Sequence, residues 1–407
     1  MAKTLISFLG TGSIGNNNKY RKAIYKIDNE TYETSYVAMA IRKHYRTDKM
    51  ILVGTVKSMW DEVYASMAGD DYDEQIHMDL MEDKEKACKD SKLELRHKEE
   101  IEKVMGENSK IVLINYGLDD EEIGHNDELI LSLEDYLYRK DELYIDVTHA
   151  FRSLPLFLMN TMIYLKNVSD KNIDIKQVTY GMLDVSREIG YAPVVNLRSI
   201  VDTNEWISAA YSFREFGNAY KIASLIENED KSMAKILRNF SDALNLNSLY
   251  QISKQYQRIS GLKNYEYKSP IAQMVIKPGI DKFLSFFGEF DELNVAEFQY
   301  KVARWHYEHK SYCLAYNDLL EAMVTYCCEH ELPSDGRPWY DFDFRMKSRE
   351  CINSEKSNCG RELHFKKLNK KRNGLVHQNE IKENTDQLIN NLERYLDEFA
   401  HFLKSNK

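Results

Sequence analysis

Short apolar runs alternate with amphipathic segments through the first half of the chain. The runs typical of buried strands are residues 4–9, 50–55, 111–116, 143–147 and 177–183. Segments with helical periodicity begin near Ser35 and then cover residues 58–67, 127–138 and 154–166. This alternation predicts an α/β fold with a mostly parallel sheet covered on both faces, and ligands bound beyond the carboxyl ends of its strands.

After residue 206 the pattern changes to helices without strands. Helices are expected over 206–227, through 232–291, over 293–330 with a break near Lys310, and from an N-cap at Asn384 to the end, whereas 331–358 is expected to be a loop or lid. A chain of 407 residues is too long for one ordinary core. We therefore expect two domains, 1–205 and 206–407, the second with a helical insertion at about 232–291.

The composition limits the function classes. The formal net charge of −10 argues against constitutive binding of nucleic acid, so any RNA contact must be local. The six cysteines form no CxxC pair and no metal-ligand cluster with histidine, which predicts reduced thiols and no metal. The apolar run at 4–9 is too short for a signal peptide or a membrane span, so a cytoplasmic location is expected. Residues 70–110 form a charged, helix-like insertion, interpreted as a solvated face.

A glycine-rich turn follows the first predicted strand. The residues are Gly10, Thr11, Gly12, Ser13, Ile14 and Gly15, formally a GxGxxG motif. The dinucleotide fingerprint requires a helix to start at once, whereas residues 19–27 alternate like a strand and no acidic residue ends the run 50–55. A nicotinamide cofactor is therefore disfavoured. A turn with free backbone N–H groups that holds a nucleotide or phosphate, and a plain tight turn, both remain open.

A second polar cluster follows the strand at 143–147. It comprises Thr148, His149, Ala150, Phe151, Arg152 and Ser153. Pro155 suits the first turn of a helix whose N-terminus would face a phosphate. Either His149 or Arg152 alone would be explained by capping or packing, but the clustering favours a ligand site.

Cleavage of an RNA phosphodiester by its own 2′-hydroxyl is predicted at Arg372, Asn373 and His377. Histidine can move protons near neutral pH, and an arginine fork can neutralise a phosphorane-like transition state. Arg304 and His309 repeat the spacing, but they precede a strongly apolar helix and are assigned to packing. Four lysines precede the later pair and would attract a polyanion: Lys366, Lys367, Lys370 and Lys371. On an ideal helix the two groups would be about 140° apart. We expect Gly374 to loosen the helix, or a second copy to complete the site.

The chain resembles the DxTHG-motif CRISPR-associated proteins of type III systems. The resemblance rests on LGTG at 9–12, the tyrosines of 19–36, DVTHAFRSLP at 146–155, YAPVVNLRSIVDTNEW at 191–206 and RNGLVH at 372–377. It implies a Rossmann-like CARF domain that senses cyclic oligoadenylate, followed by an all-α HEPN domain that cuts RNA. Ala150 departs from the glycine usual in the family, and its methyl group would narrow the ligand pocket.

The resemblance also assigns roles to residues. Gly10 to Ser13 would line one wall of the pocket and Thr148 to Ser153 the other, with two pockets facing each other across a homodimer axis. His149 could additionally help the bound ring cleave itself. The implied activator is cyclic tetra-adenylate, with no other cofactor.

The resulting prediction is a metal-independent endoribonuclease that cleaves single-stranded RNA by 2′-hydroxyl attack. Arg372 would stabilise the transition state, His377 would move protons, and Asn373 would orient the phosphate or the histidine. The chain would form a homodimer or a higher oligomer. The alternative is a non-catalytic cyclic-nucleotide sensor that acts through a partner.

Overall fold

A computed structural model describes residues 2–15, 19–149, 151, 153–288, 290, 294–333, 336–354, 357–378 and 381–406. The chain divides into two compact units, Met1–Asn204 and Glu205–Lys407. Within the described ranges, no helix has the length and apolar character needed to cross a membrane.

The first unit is built on one eight-stranded sheet. Its strands are β1 (Lys3–Leu9), β2 (Ala23–Ile27), β3 (Glu30–Thr34), β4 (Lys49–Gly54), β5 (Lys110–Leu113), β6 (Glu142–Asp146), β7 (Asp174–Gly181) and β8 (Ala192–Asn196). Their order is β3-β2-β8-β7-β6-β1-β4-β5. The pairs from β7 through β6, β1 and β4 to β5 are all parallel, whereas β8 is antiparallel to β7, and β3 is antiparallel to β2. The expected mostly parallel sheet is confirmed.

Alternating side chains of the central strands bury both faces of this sheet. On β1, Leu5 and Leu9 belong to one apolar cluster, while Ile6 and Phe8 belong to another. The helices of this unit are α1 (Val37–Tyr45), α2 (Trp60–Met67), α3 (Glu74–Lys86), α4 (Lys98–Met105), α5 (Asp120–Leu131), α6 (Leu154–Asn167) and α7 (Ser186–Ile189). Helix α8 (Arg198–Phe216) continues into the second unit.

In its described residues the second unit is helical. It contains α9 (Tyr220–Ile226), α10 (Lys231–Asn245), α11 (Leu249–Ile259), α12 (Pro270–Val275), α13 (Lys277–Phe287), α14 (Val295–Glu308), α15 (Tyr312–His330), α16 (Phe342–Asn353), α17 (Asn358–Glu362), α18 (Phe365–Val376) and α19 (Thr385–Ser405). Two apolar clusters form its core. One is built mainly from α8 to α13, and the other from α15, α17, α18 and α19, while α14 contributes to both.

Several element boundaries differ from the sequence expectation. Helix α5 begins at Asp120 rather than near 127, because the Asp119 carboxylate caps it by accepting the Glu122 N–H at 2.9 Å. Strand β8 was not expected, and the expected loop at 331–358 contains α16. The break between α14 and α15 and the Asn384 N-cap are as expected.

Candidate functional site

Neighbouring strands bring the two predicted ligand-binding loops together. Strands β1 and β6 are parallel, with Ser7 opposite Asp146, so the loops that follow them leave the same edge of the sheet. A Cβ atom added at Gly10 would lie 3.5 Å from the Cβ of His149, which is ordinary contact distance. The glycine turn and the polar cluster are therefore adjacent, as two walls of one site would be.

Asp146 and Thr148 fix the turn after β6. The fully buried Asp146 carboxylate accepts hydrogen bonds from the Ser7 hydroxyl at 2.6 Å and from the Thr148 backbone N–H at 3.1 Å. The Thr148 hydroxyl donates to the same carboxylate and accepts the Gly181 N–H at 2.7 Å. Burial raises the pKa of Asp146, against the lowering effect of these bonds and of His149. Thr148 thus lies at the predicted wall, but its hydroxyl is engaged within the fold.

His149 has an unused hydrogen-bonding atom in this turn. Its Nε2 is buried and has no hydrogen-bond partner among the described residues. Burial lowers the pKa of His149, while the Asp146 charge acts in the opposite direction. A neutral imidazole with an unsatisfied buried nitrogen is what a site for a polar ligand would provide.

The remaining predicted residues of this loop are placed less informatively. Ala150 and Arg152 lie outside the described residues. Phe151 is 43% exposed, and its ring centroid is 6.1 Å from that of Tyr116. Ser153 precedes α6, and its side chain makes no capping hydrogen bond.

The glycine turn is built for close approach rather than for helix initiation. Gly12 has φ of +70°, and an added Cβ would lie 2.7 Å from the Tyr20 ring, so a larger residue would be strained and would clash. Thr11 and Ser13 are exposed, and the Arg21 N–H donates to the Ser13 carbonyl at 2.8 Å. No helix follows within the described residues 10–15 and 19–27, which agrees with the argument against a dinucleotide site.

Lys84, on the charged insertion, is the residue that sequence reasoning missed. Its Nζ donates to the Thr11 carbonyl at 2.6 Å and lies 4.5 Å from the centroid of the Tyr20 ring. The Tyr20 hydroxyl in turn donates to the Asp61 carboxylate at 2.8 Å. Burial lowers the pKa of Lys84. The insertion was interpreted as a solvated face, and nothing in its charge pattern distinguishes this lysine from its neighbours.

Helix α18 carries the predicted catalytic residues. The expectation that Gly374 loosens this helix is wrong, because α18 continues to Val376 and the His377 N–H donates to the Asn373 carbonyl at 2.9 Å. Gly374 instead allows close packing: an added Cβ would lie 2.8 Å from Cγ1 of Ile381. Arg372 and His377 are consequently held on different sides of one helix.

The exposures of the two groups also differ. Nε of Arg372 is buried and has no hydrogen-bond partner among the described residues, whereas His377 is exposed just past the end of the helix. A single copy of α18 does not bring the two groups together.

A basic cavity of about 890 Å³ adjoins this helix. It is lined by Asn353, Lys366, Lys367, Asn369, Lys370, Lys371, Asn373, Gly374, Ile381, Lys382, Glu383, Asn391, Arg394 and Tyr395. Of the three predicted catalytic residues, only Asn373 is in its wall. Lys371 pairs with Glu383 and lowers the pKa of that carboxyl. The other cations in the wall make the cavity attractive to a polyanion, although the whole chain is acidic.

The second pair with the same spacing has a structural role. Arg304 forms an ion pair with Asp397 at 2.5 Å. His309 is bonded through both ring nitrogens, to the Trp305 carbonyl at 2.7 Å and the Arg214 carbonyl at 3.0 Å, and it stacks on the Trp305 ring. This agrees with the assignment of that pair to packing.

Comparisons with known proteins were made against family models, curated sequences and solved structures. Residues 4–184 match the CARF domain of the CRISPR system endoribonuclease Csx1, and residues 202–294 match the second domain of CRISPR-associated protein MJ1674. MJ1674 of Methanocaldococcus jannaschii is 31% identical over 430 aligned positions, which include the whole of this chain and 66% of that protein. The chain therefore spans somewhat less than two thirds of its relative.

A solved structure gives a weaker likeness. Enterococcus italicus Csm6, bound to cyclic hexa-2′-fluoro-hexa-dAMP, superposes with a TM-score of 0.41 at 11% identity, covering 100% of this chain and 94% of that chain. The matching CARF model, the relative that aligns along the whole chain, and the α/β sheet followed by helices agree with one another. The chain belongs to the CARF-containing CRISPR-associated proteins of type III systems.

Proposed function

We propose that this protein is an endoribonuclease activated by cyclic oligoadenylate, which cuts single-stranded RNA with Arg372, Asn373 and His377 without a metal ion. The second unit would then be a HEPN-type domain. The activator would bind at the loops after β1 and β6, and cyclic tetra-adenylate is the form we expect. The family membership supports the sensing role, and the features of α18 support the cleavage.

One observation carries the proposed catalysis. Beside a cavity rich in lysine, the buried Nε of Arg372 has no hydrogen-bond partner in the part of the chain that the structure describes, and His377 is exposed one residue past the helix end. In a purely structural arginine, this nitrogen would be expected to bond a carboxylate or a carbonyl. The unsatisfied group and the local positive charge instead suit an RNA phosphate.

The chemistry follows from these groups. His377 would remove the proton of a ribose 2′-hydroxyl, whose oxygen then attacks the adjacent phosphorus as the bond to the 5′-oxygen breaks. Arg372 would neutralise the extra negative charge on the phosphorane-like transition state. The 5′-oxygen takes up a proton from water and the His377 imidazolium returns its proton to water, so the products are a 2′,3′-cyclic phosphate and a 5′-hydroxyl. Single-stranded RNA is favoured because in-line attack needs a flexible backbone.

The continuity of α18 supports a site made from two chains. Because Arg372 and His377 are held on different sides of an intact helix, a homodimer could bring the arginine of one copy to the histidine of the other. The ligand would favour the dimer arrangement in which the two groups are correctly spaced. It can do so only by binding that arrangement more tightly than the resting one.

The first unit offers suitable groups for the activator. Among the described residues Nε2 of His149 has no hydrogen-bond partner, and Lys84 places a cation at the turn that also exposes Thr11 and Ser13. The ammonium group can bind a phosphate of the ring, and the imidazole can hydrogen-bond a phosphate or a ribose. Two such pockets would match the symmetry of a cyclic ligand.

The catalytic assignment is tested by cleavage of a fluorogenic single-stranded RNA in chelator, with cyclic tri-, tetra- or hexa-adenylate. We expect tetra-adenylate to activate the wild type, and Arg372→Ala or His377→Ala to lose on the order of 100-fold or more of the rate. His401→Ala, which removes an exposed histidine of α19, is the matched control. Full ligand-stimulated activity in both active-site variants would refute the assignment.

The sensing assignment is tested separately by calorimetric titration with the same rings. We expect Lys84→Met to weaken binding by about tenfold, the equivalent of one charged hydrogen bond. Lys86→Met, on the same helix and paired with Glu82, should bind as the wild type does. Tight binding of a ring without any RNA cleavage would instead establish the non-catalytic sensor.

A further inference from the structure

A second cavity of the helical unit, about 580 Å³, is lined by aromatic side chains that lie outside the proposed catalytic segment. The Tyr250 ring, on α11, lies 4.8 Å from the Tyr340 ring and 6.1 Å from the Trp339 ring, measured between centroids. Tyr250 is 37% exposed and Tyr340 is 51% exposed. Aromatic faces therefore remain open to a ligand.

Cations surround these rings. Lys254 Nζ lies 5.8 Å from the centroid of the Tyr250 ring, and Arg337 is also in the cavity wall. Arg345 stacks on Trp339, with its guanidinium carbon 5.7 Å from the ring centroid, and donates to the Trp339 carbonyl at 3.2 Å. The indole is thereby held in place from one side.

The carboxylates near this cavity are already bonded within the fold. Glu329 in the wall accepts the Val295 and Ala296 N–H groups at 2.8 and 3.2 Å. Asp341 caps α16 by accepting the Phe344 N–H at 2.8 Å, and it forms an ion pair with Arg337 at 3.4 Å. The cavity thus combines aromatic faces with cations, and its nearby carboxylates accept hydrogen bonds from backbone N–H groups.

We propose that Tyr250, Trp339 and Tyr340 form a stacking platform for unpaired bases of single-stranded RNA, with Lys254 binding the backbone. Stacking on aromatic rings beside cations is how proteins bind single strands without reading their sequence. Helix α16 connects the platform to the basic cavity: Phe344 lines the first, and Asn353 lines the second. Nine residues of helix separate them by roughly 14 Å. This role rests on the proposed ribonuclease function, because it makes the platform a substrate-holding site next to the cleavage centre.

A competing occupant is a second copy of this chain. Phe342 and Met346, at 75% and 44% exposure, form an apolar strip on α16 next to the platform. A subunit interface would use that strip, whereas the cations around Tyr250 and Tyr340 favour a polyanion. Measuring RNA binding and sedimentation separately distinguishes the two.

The experiment uses full-length His377→Ala protein and a short single-stranded RNA that contains 2-aminopurine, so that binding is read without cleavage. We expect the fluorescence to be quenched on binding, and Tyr250→Ala with Tyr340→Ala to weaken binding by about tenfold or more and to remove the quenching. Tyr250→Phe with Tyr340→Phe should retain both, because stacking needs the ring and not the hydroxyl. Tyr211→Ala, at a 55% exposed tyrosine of α8, is the matched control.

Two results would overturn the proposal. One is RNA affinity and quenching in the double alanine variant equal to those of the control. The other is a changed sedimentation coefficient of the double alanine variant together with unchanged RNA affinity, which would assign the surface to a subunit interface. RNA binding and sedimentation are both measured on His377→Ala protein and do not depend on cleavage. Failure of the proposed ribonuclease function would be seen separately, in the cleavage assay in chelator with the wild-type protein.

Discussion

At the residue scale, Gly374 shows how one missing side chain determines the geometry of the proposed catalytic segment. An added Cβ would meet Cγ1 of Ile381 at 2.8 Å and Cδ1 at 3.0 Å. The sequence suggested a flexible glycine, but the residue is buried inside a continuous helix. The absence of a side chain at Gly374 lets Ile381, in the segment after α18, pack against the helix. This contact fixes the direction in which the chain continues from His377.

Replacing this glycine should therefore destabilise the fold. We expect Gly374→Ala to lower the free energy of unfolding by about 1–3 kcal/mol, because the methyl group overpacks against Ile381. Combining it with Ile381→Ala removes the contacting atoms and should recover part of the loss. Gly279→Ala, in α13, has no atom within 4 Å of the new methyl and should be neutral or stabilising by up to about 1 kcal/mol. Urea denaturation of the four proteins checks this, and equal effects at both glycines would contradict it.

At the element scale, an ion-pair cluster joins α15 to α16. Glu321 of α15 accepts from Arg345 at 2.5 Å and also pairs with Arg349. Burial opposes ionisation of Glu321, but the two arginines outweigh it, so its pKa lies below the ordinary value of 4.5. The cluster positions α16, which contributes Phe344 to the aromatic cavity and Asn353 to the basic cavity.

This lowered pKa predicts a pH dependence of stability. The folded state favours the ionised carboxylate, so the stabilisation is present above about pH 4.5 and is lost as the pH falls through the folded-state pKa. Glu321→Gln should cost about 3 kcal/mol at pH 7 and flatten the acid side of the stability profile, because it leaves two arginines without their partner. Glu350→Gln, an exposed residue of α16, should change neither. Denaturation at pH 3 to 8 checks this, and parallel profiles for the two variants would count against it.

How much the sequence predicts depends on whether the determining contacts are local. The Asn384 cap and the break at Lys310, which has φ of 61°, are set by neighbouring residues, and both were predicted. Strand β8 was missed because its five residues, which include Pro193, show no alternation of apolar and polar positions. Its register is determined by pairing with β7. Helix α16 was missed because the proline, glycine and aromatic residues before and at its start are typical of a loop, although Asp341 supplies an N-cap. The contact of Lys84 with Thr11 joins residues 73 apart, and no local pattern encodes it.

At the scale of the whole molecule, the two units have different kinds of core. The first unit packs helices on both faces of a sheet and presents its loops at one edge, whereas the second consists of helices around two apolar clusters. The net charge of −10 disfavours indiscriminate nucleic-acid binding, and the local lysines of α18 make one region an exception. If the proposed ribonuclease function holds, this charge distribution would limit RNA binding to the region around α18.

The uninterrupted helix between Arg372 and His377 has a consequence for complementation between variant subunits. If each active centre takes its arginine from one chain and its histidine from the other, two inactive mutants can complement each other. An Arg372→Ala chain retains His377, and a His377→Ala chain retains Arg372. Mixed in equal amounts, unfolded and refolded together, they should recover about a quarter of the wild-type rate, since half of random dimers are mixed and each mixed dimer has one intact centre of two. Mixtures that stay as inactive as their components would mean that each chain needs both of its own residues.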